Sequence, residues 1–288
     1  MWTKNGESTL EVVLKQIDRV IPREVINKKI MVDDHSTDNT RSIGRDHGWI
    51  VIANDGNGIS NAANTAFKHV ETPIFCSFEQ DLLLSNKWFN EVYPLIFKEN
   101  VVIASGMRFP NGPSAVRKIK LAGHNDMLDY LSKLSKELIM KSTHGKTLDN
   151  TVYRTDFVKS VDGFDYMESN CGQDSSMSLK VVKSKKYFWA VNYNVNSVHL
   201  KSNSYKHELK CQRWYARAFR EIFTSNKLPL PPEINTKAFM YRFAKSPSKS
   251  IRLLKRTKDP LVLYYYPAFC FYQLIGLIEG KKYERKLQ

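Results

Sequence analysis

The chain has 288 residues, 42% hydrophobic and 12% aromatic, which is enough apolar content to bury the core of one ordinary domain plus an appendage and excludes a disordered tail. Its formal net charge of +15 is uneven, because residues 201–258 hold fifteen Lys or Arg against three Glu while the remainder is nearly balanced. Such a block suits nucleic acid, an anionic membrane surface or a phosphorylated substrate, and charge alone does not choose among them.

In chain order, Leu10, Val13, Leu14, Ile17 and Val20 recur at spacings of three and four, which predicts an amphipathic helix over residues 8–20. Residues 27–32 read as a short strand running into Asp33-Asp34-His35-Ser36-Thr37-Asp38-Asn39-Thr40, a stretch rich in helix-capping types, and a strand over residues 49–53 follows. After the turn Asp55-Gly56-Asn57-Gly58, a helix is expected over residues 60–69. A buried strand over residues 73–78 then stops at Glu79-Gln80-Asp81. Strands alternating with helices predict an α/β fold with a mostly parallel sheet flanked by helices. Farther on, a strand is expected over residues 151–154, a helix over 173–183 and a strand over 187–191.

Beyond Leu200 the chain becomes basic and helical in pattern, with segments broken by Pro229, Pro231, Pro232 and Pro247. Residues 261–278 are almost wholly apolar apart from Gln273, with Lys and Arg on both flanks. The four cysteines, Cys76, Cys171, Cys211 and Cys270, are scattered and form no C-x-x-C pair, so neither a zinc knuckle nor a disulfide framework is suggested. Residues 1–10 lack the basic-then-apolar pattern of a secretory signal, and a cytoplasmic location is expected.

In open sheets of this class, ligands sit beyond the carboxyl ends of the strands, and both acidic clusters fall there. Glu79 and Asp81, two apart on an extended segment, point the same way and can face one hard cation. Asp33 and Asp34 precede small polar residues suited to hydrogen bonding a base and ribose. Asp174, at the start of a helix, sits where the dipole and free amides favour an ionised carboxylate, the state a general base needs. His199, after a strand-like stretch, suits a further metal ligand or a diphosphate contact. Each of these alone also fits a helix cap, a solvated turn or a structural histidine.

Taken in order, the pieces resemble the family 2 glycosyltransferases of the GT-A fold over roughly residues 3–201. Thr3-Lys4-Asn5-Gly6-Glu7 is similar to the family's T-x-N-E loop. Val32-Asp33-Asp34-His35-Ser36-Thr37-Asp38-Asn39-Thr40 is similar to its V-D-D-x-S-x-D-x-T nucleotide loop. Asn57-Gly58-Ile59-Ser60-Asn61-Ala62-Ala63-Asn64 resembles its N-x-G-x-x-x-A-x-N turn and helix. Glu79-Gln80-Asp81 takes the place of the D-x-D metal motif, Val161-Asp162-Gly163-Phe164-Asp165 that of a G-G-F-D-like turn, and Gly172-Gln173-Asp174 that of G-E-D with its catalytic base.

The resemblance implies an inverting transfer of a sugar from a UDP-, GDP- or dTDP-linked donor to an acceptor hydroxyl, with Mg²⁺ or Mn²⁺ as cofactor. It implies Asp174 as the base and Asp81, Glu79 and His199 as metal ligands. It implies a donor site from Thr3, Asn5, Glu7, Asp33, Asp34, Ser36, Asp38, Asn57, Gly58, Asn61, Asn64, Glu79 and Gln80. The expected organisation is a catalytic domain over residues 1–202 and a basic helical extension over 203–288. The family's first strand should precede Thr3, where only Met1 and Trp2 stand, so the natural start is expected upstream.

The apolar segment 261–278 is at the lower limit for spanning a bilayer, and Pro267, Gln273 and Gly276 argue against a simple span. Tyrosines and flanking cations fit either a segment lying on the cytoplasmic leaflet, where a glycan or lipid-linked acceptor is met, or a core helix. A nucleotidyltransferase is the rival enzyme, but the Gly-rich basic phosphate loop of that class is missing. A nucleic-acid binder is the non-enzymatic rival. Trp214, Tyr215, Phe219 and Phe223 are spaced as a helix packing face rather than as base-stacking platforms, so no nucleic acid partner is expected.

Overall fold

The first helix follows its apolar stripe. Leu10, Val13, Leu14 and Ile17 of α1 (Glu7–Val20) are all buried, each contributing about 1.5–3 kcal/mol by leaving water. The computed structural model describes residues 1–109, 111–133, 146–200, 204–231 and 235–285. These form two compact units: residues 1–109, 146–166 and 173–200 in the first, and the remainder in the second.

In the first unit, β1 (Trp2–Thr3), β2 (Ile30–Asp33) and β3 (Ile50–Ala53) form a parallel sheet in that order. Helices α2 (Thr40–Asp46) and α3 (Gly58–Lys68) follow β2 and β3, after the polar stretch and the turn expected to precede them. A second sheet contains β4 (Ile74–Phe78), β5 (Leu82–Leu83), β6 (Val101–Phe109), β7 (Asn150–Arg154) and β8 (Phe188–His199), in the order β4-β7-β6-β8-β5. Here β6 and β8 are parallel, whereas β7 runs antiparallel to both β4 and β6, and β5 antiparallel to β8.

The parallel arrangement thus holds for the first three strands and gives way to a mixed sheet. That reversal positions the site. An antiparallel strand begins where its neighbour ends, so the start of β7 meets the carboxyl end of β4 and the middle of β6: Phe78 pairs with Asn150, and Ser105 with Thr151. Strand β8 outruns the expected stop near Val191. Its register against β6 jumps between Gly106 paired with Asn192 and Met107 paired with Asn196, a bulge that carries the chain on to His199.

The slot of the first strand is filled by Trp2–Thr3, which pairs with Val32 and Asp33 on one side and bridges to Glu79 on the other. The Met1 ammonium donates to the Ile30 carbonyl at 2.9 Å. Burial pushes that amine from 8.0 down to about 5. Alongside lies an apolar cavity of about 560 Å³ lined by Met1, Ile17, Trp49, Phe67, Ile74 and Cys76, among others.

The second unit is helical, with α5 (Ser114–Ser132), α8 (Tyr205–Ser225), α9 (Thr236–Thr257), α10 (Val262–Glu279) and α11 (Lys281–Arg285). The first unit meanwhile carries α4 (Trp88–Glu91), α6 (Thr155–Ser160) and α7 (Gln173–Lys183). Ser204 and Asn235 cap α8 and α9 by accepting from the amides of His207 and Ala238. Pro247, expected to break the chain, instead sits inside α9. The carbonyl it leaves without a backbone donor belongs to Phe243, and the Ser246 hydroxyl donates to it at 2.7 Å. Helix α10 packs on both α8 and α9. No helix among the described residues is long and apolar enough to cross a membrane.

Candidate active site

The loop of residues 33–40 grows from the carboxyl end of β2. Asp33 is only 2% exposed. One of its oxygens accepts from the Ser36 amide at 3.1 Å and Arg41 Nε at 2.6 Å, while Oδ1 is buried with no protein partner. Asp34 Oδ1 accepts from Asn54 Nδ2 at 2.7 Å and from the Gly58 amide at 3.2 Å, and its Oδ2 pairs with Lys4 Nζ at 3.1 Å. Burial alone would raise the Asp34 carboxyl, but the bonds from Asn54, Lys4 and Gly58 outweigh it and hold the group below its ordinary value. Gly58 opens α3 at a φ of 79°, a backbone state that favours glycine.

Several of the expected donor-site residues tie the two loops together. Thr3 Oγ1 donates to the Val32 carbonyl, the Asn5 amide donates to Ser36 Oγ, and Asn5 Oδ1 accepts from the Thr37 amide. The Glu7 amide donates to Asp38 Oδ2, and the Glu7 carboxylate accepts from Asn39 Nδ2. Asn61 Nδ2 donates to the Asn57 carbonyl within the first turn of α3. Asn64 points elsewhere: its amide grips both the N–H and the carbonyl of Phe164, bracing α3 against the 161–165 turn.

Gln80 links this region to the acidic pair. Its side chain accepts from the Lys4 amide at 2.8 Å and donates to the Lys4 carbonyl at 2.9 Å, imitating a strand pairing. Gly6 makes room for it, since a Cβ there would lie 2.5 Å from Gln80 Oε1. The Lys4 that pairs with Asp34 therefore also fixes the segment bearing Glu79 and Asp81.

Glu79, Asp81 and His199 converge, each offering a ligand atom within 4.8 Å of the others. His199 Nδ1 is 3.6 Å from Asp81 Oδ2, and its Nε2 is 3.7 Å from Glu79 Oε2. The backbone explains this. Leu82 pairs with His199 across the β5–β8 ladder, and the Leu200 amide donates to the Asp81 carbonyl at 2.8 Å. Two carboxylates and an imidazole form a donor set that suits a hard or borderline divalent ion such as Mn²⁺.

Sequence reasoning missed two members of the cluster, Arg108 at the end of β6 and Asp149 just before β7. Arg108 Nη1 lies 2.8 Å from Asp149 Oδ2, 3.0 Å from His199 Nε2 and 3.9 Å from Glu79 Oε2. Burial would raise the Asp149 carboxyl, but the Arg108 charge and the bond from His199 hold it at about 2. Glu79 goes the other way. Burial first, then the charge of Asp149, push it up to about 8 against the opposing pull of Arg108 and His199. Burial would lower His199, yet its bonds to Asp149 and Asp81 lift it to about 9. These groups titrate as one coupled unit.

Asp174 lies in the first turn of α7, where its Oδ1 accepts from the Ser175 amide at 2.7 Å. The helix start was expected to dominate its ionisation. Instead, loss of water around the carboxylate is the largest influence and raises its pKa, against the Ser175 amide and the Arg108 charge; the Asp149 charge adds to the rise. Asp174 therefore shares an electrostatic neighbourhood with the cluster. Gln173 Nε2, donating to Ser60 Oγ at 3.1 Å, ties α7 to α3.

Because Asp149 is 1% exposed and paired with Arg108, we expect Arg108→Met to destabilise the first unit by ~3 kcal/mol through the buried charge left behind. Adding Asp149→Asn should recover part of that loss, which urea unfolding of the two single variants and the double variant measures. Additive losses would show that the pair is not coupled.

The sequence profile described as glycosyl transferase family 2 matches residues 1–161. No curated protein matches the chain. Among solved structures, a mannosyltransferase from Pyrobaculum calidifontis in complex with GDP-Man and Mn²⁺ superposes with a TM-score of 0.65 at 16% identity, covering 99% of this chain and 85% of that one. Glucosyl-3-phosphoglycerate synthase from Mycobacterium tuberculosis, in complex with Mn²⁺, UDP-Glc and phosphoglyceric acid, superposes with a TM-score of 0.55 at 14% identity, covering 79% of this chain and 78% of that one. At such identities the likeness concerns the fold.

Proposed function

The chain belongs to glycosyl transferase family 2, and from that premise we propose that its first unit transfers a sugar from a nucleoside diphosphate to an acceptor hydroxyl with inversion at the anomeric carbon. The observation that carries the reading is the clustering of Glu79, Asp81 and His199 within 4.8 Å at the sheet edge, with Arg108 3.0 Å and Asp149 3.7 Å from the same histidine.

In this reading, Asp34 and the buried free oxygen of Asp33 face the nucleoside, and the loops clamped by Asn5, Glu7, Ser36 and Asp38 hold that edge rigid. Asp81, Glu79 and His199 would hold a Mn²⁺ or Mg²⁺ ion, which when bound supplies positive charge against the departing diphosphate. Arg108 adds a fixed guanidinium at the same place. Asp174 accepts the proton of the acceptor hydroxyl as its oxygen attacks, and a carboxylate raised above its ordinary range is a stronger base for that step than a solvated one. The proton rests on Asp174, and no covalent bond to the protein forms.

The acceptor in this proposal is a sugar hydroxyl on a glycan or a lipid-linked carrier, met at the cytoplasmic face of a membrane in glycan assembly. The two solved relatives carry GDP-Man and UDP-Glc, which makes GDP- and UDP-sugars the first donors to try, with dTDP-sugars beside them. We expect one of these classes to raise the melting temperature by several degrees in the presence of Mn²⁺ and to be hydrolysed slowly, with EDTA abolishing both. Thermal stability indifferent to every donor, with or without metal, would remove the proposal.

A further inference from the structure

Helix α9 carries more apolar surface than its packing uses. Phe239, Ser246, Ser250 and Leu253 form the stripe it buries. Beside this runs a second stripe at spacings of three and four: Met240, Phe243, Ala244, Pro247, Ile251 and Leu254. Met240 is 57% and Ile251 52% exposed. Helix α10 presents a matching line seven residues apart, Tyr264, Phe271 and Ile278, all exposed. The two lines meet where the rings of Phe243 and Phe271 lie 5.6 Å apart. The other flank of α9 is cationic, with Lys245, Lys249, Arg252 and Arg256 at spacings of four, three and four. The whole helix holds seven Lys or Arg and no acid.

Arg256 is paired with Asp126 of α5 at 2.8 Å, and the exposed apolar strip bordered by Lys245, Lys249 and Arg252 has the chemistry of a helix lying in the headgroup layer. We propose that the α9–α10 face docks on an anionic lipid surface, with Met240, Phe243, Ile251 and Phe271 entering the acyl boundary and Lys245, Lys249 and Arg252 facing lipid phosphates. The proposal deepens the acceptor reading above by naming the surface that brings the enzyme to a membrane. Its physical content does not depend on the transferase chemistry.

Flotation of the full chain with phosphatidylcholine vesicles, with and without phosphatidylglycerol, tests it. The expected result is flotation only with the anionic vesicles, weakening as salt rises. Ile251→Asp with Phe271→Asp should lower the vesicle-bound fraction by roughly tenfold or more. Lys245→Gln, Lys249→Gln and Arg252→Gln together, all exposed, should abolish the preference for phosphatidylglycerol, with circular dichroism checking that loss of the Lys249 contact with the Tyr266 ring leaves the fold intact. No flotation, equal flotation on neutral vesicles, or stripe variants that float like the parent would overturn the proposal. So would a dimer in light scattering that Ile251→Asp dissociates, because a second copy would then own the stripe. Nucleotide-sugar hydrolysis in solution is read in parallel and should be unchanged in these variants. Its absence from the parent would defeat the transferase reading while leaving the lipid result standing.

Discussion

Replacing Asp174 with asparagine is expected to lower the rate of glycosyl transfer by about 10²–10⁴-fold, the usual contribution of a positioned general base, with little change in the affinity for donor nucleotide. Asparagine keeps the shape and can still accept from the Ser175 amide that orients the aspartate, so the loss reads proton transfer rather than folding. The pH profile discriminates further. A base at Asp174 would work only when deprotonated, and its pKa is raised by the loss of surrounding water and by the charge of Asp149. At Mn²⁺ concentrations that saturate the site at every pH, activity of the parent should therefore fall as pH drops through a value above aspartate's ordinary one, and residual activity of the variant should lack that limb. A variant with the parent's acid limb, or with less than a tenfold loss, would mean that another group takes the proton.

The acidic stations were legible because each ends or begins an element whose type the sequence declares. An apolar run stops at Asp33, another stops at Glu79, and a periodic helix opens at Asp174. The capping residues after β2 and the stripe of α1 likewise left little freedom, and these elements formed within a few residues of their expected bounds.

Of the two missed residues, Arg108 was legible, and Asp149 was not, for a topological reason. Arg108 lies at the end of an apolar run, residues 101–109, and the rule applied to Asp33 and Glu79 would have marked it. Asp149 precedes its strand, and only the antiparallel direction of β7 brings that start to the active edge. Direction depends on which strands pair, a long-range choice that local periodicity does not encode. The extended β8 was hidden likewise, since the bulge before Asn196 interrupts the alternation that would have signalled a strand reaching His199. The second stripe of α9 was masked by Pro247, whose cost to the helix is softened by the Ser246 hydroxyl.

Asp81→Ala should have the other large effect, a loss of metal-dependent turnover of about 10²–10³-fold or more, because it removes a ligand of the ion that would meet the leaving diphosphate. The reasoning rests on what else is present. In the parent, burial and the charge of Asp149 hold Glu79 protonated up to about pH 8, and bonds to Asp149 and Asp81 keep the proton on His199 up to about pH 9; these two are the ligands left when Asp81 is removed. Both must lose protons to bind a cation, so metal and protons compete. In the parent, the apparent affinity for Mn²⁺ should therefore strengthen as pH rises from 6 to 9, with protons released on binding; calorimetry in buffers of different ionisation enthalpy counts them. In Asp81→Ala, the affinity should be weak throughout, and its rise with pH should shift to lower pH, because Asp81 is one of the groups that raise both His199 and Glu79. Parent affinity that is flat across this range would show that Glu79 and His199 do not bind the ion. Undiminished Mn²⁺ affinity in Asp81→Ala would place the ion elsewhere on the chain.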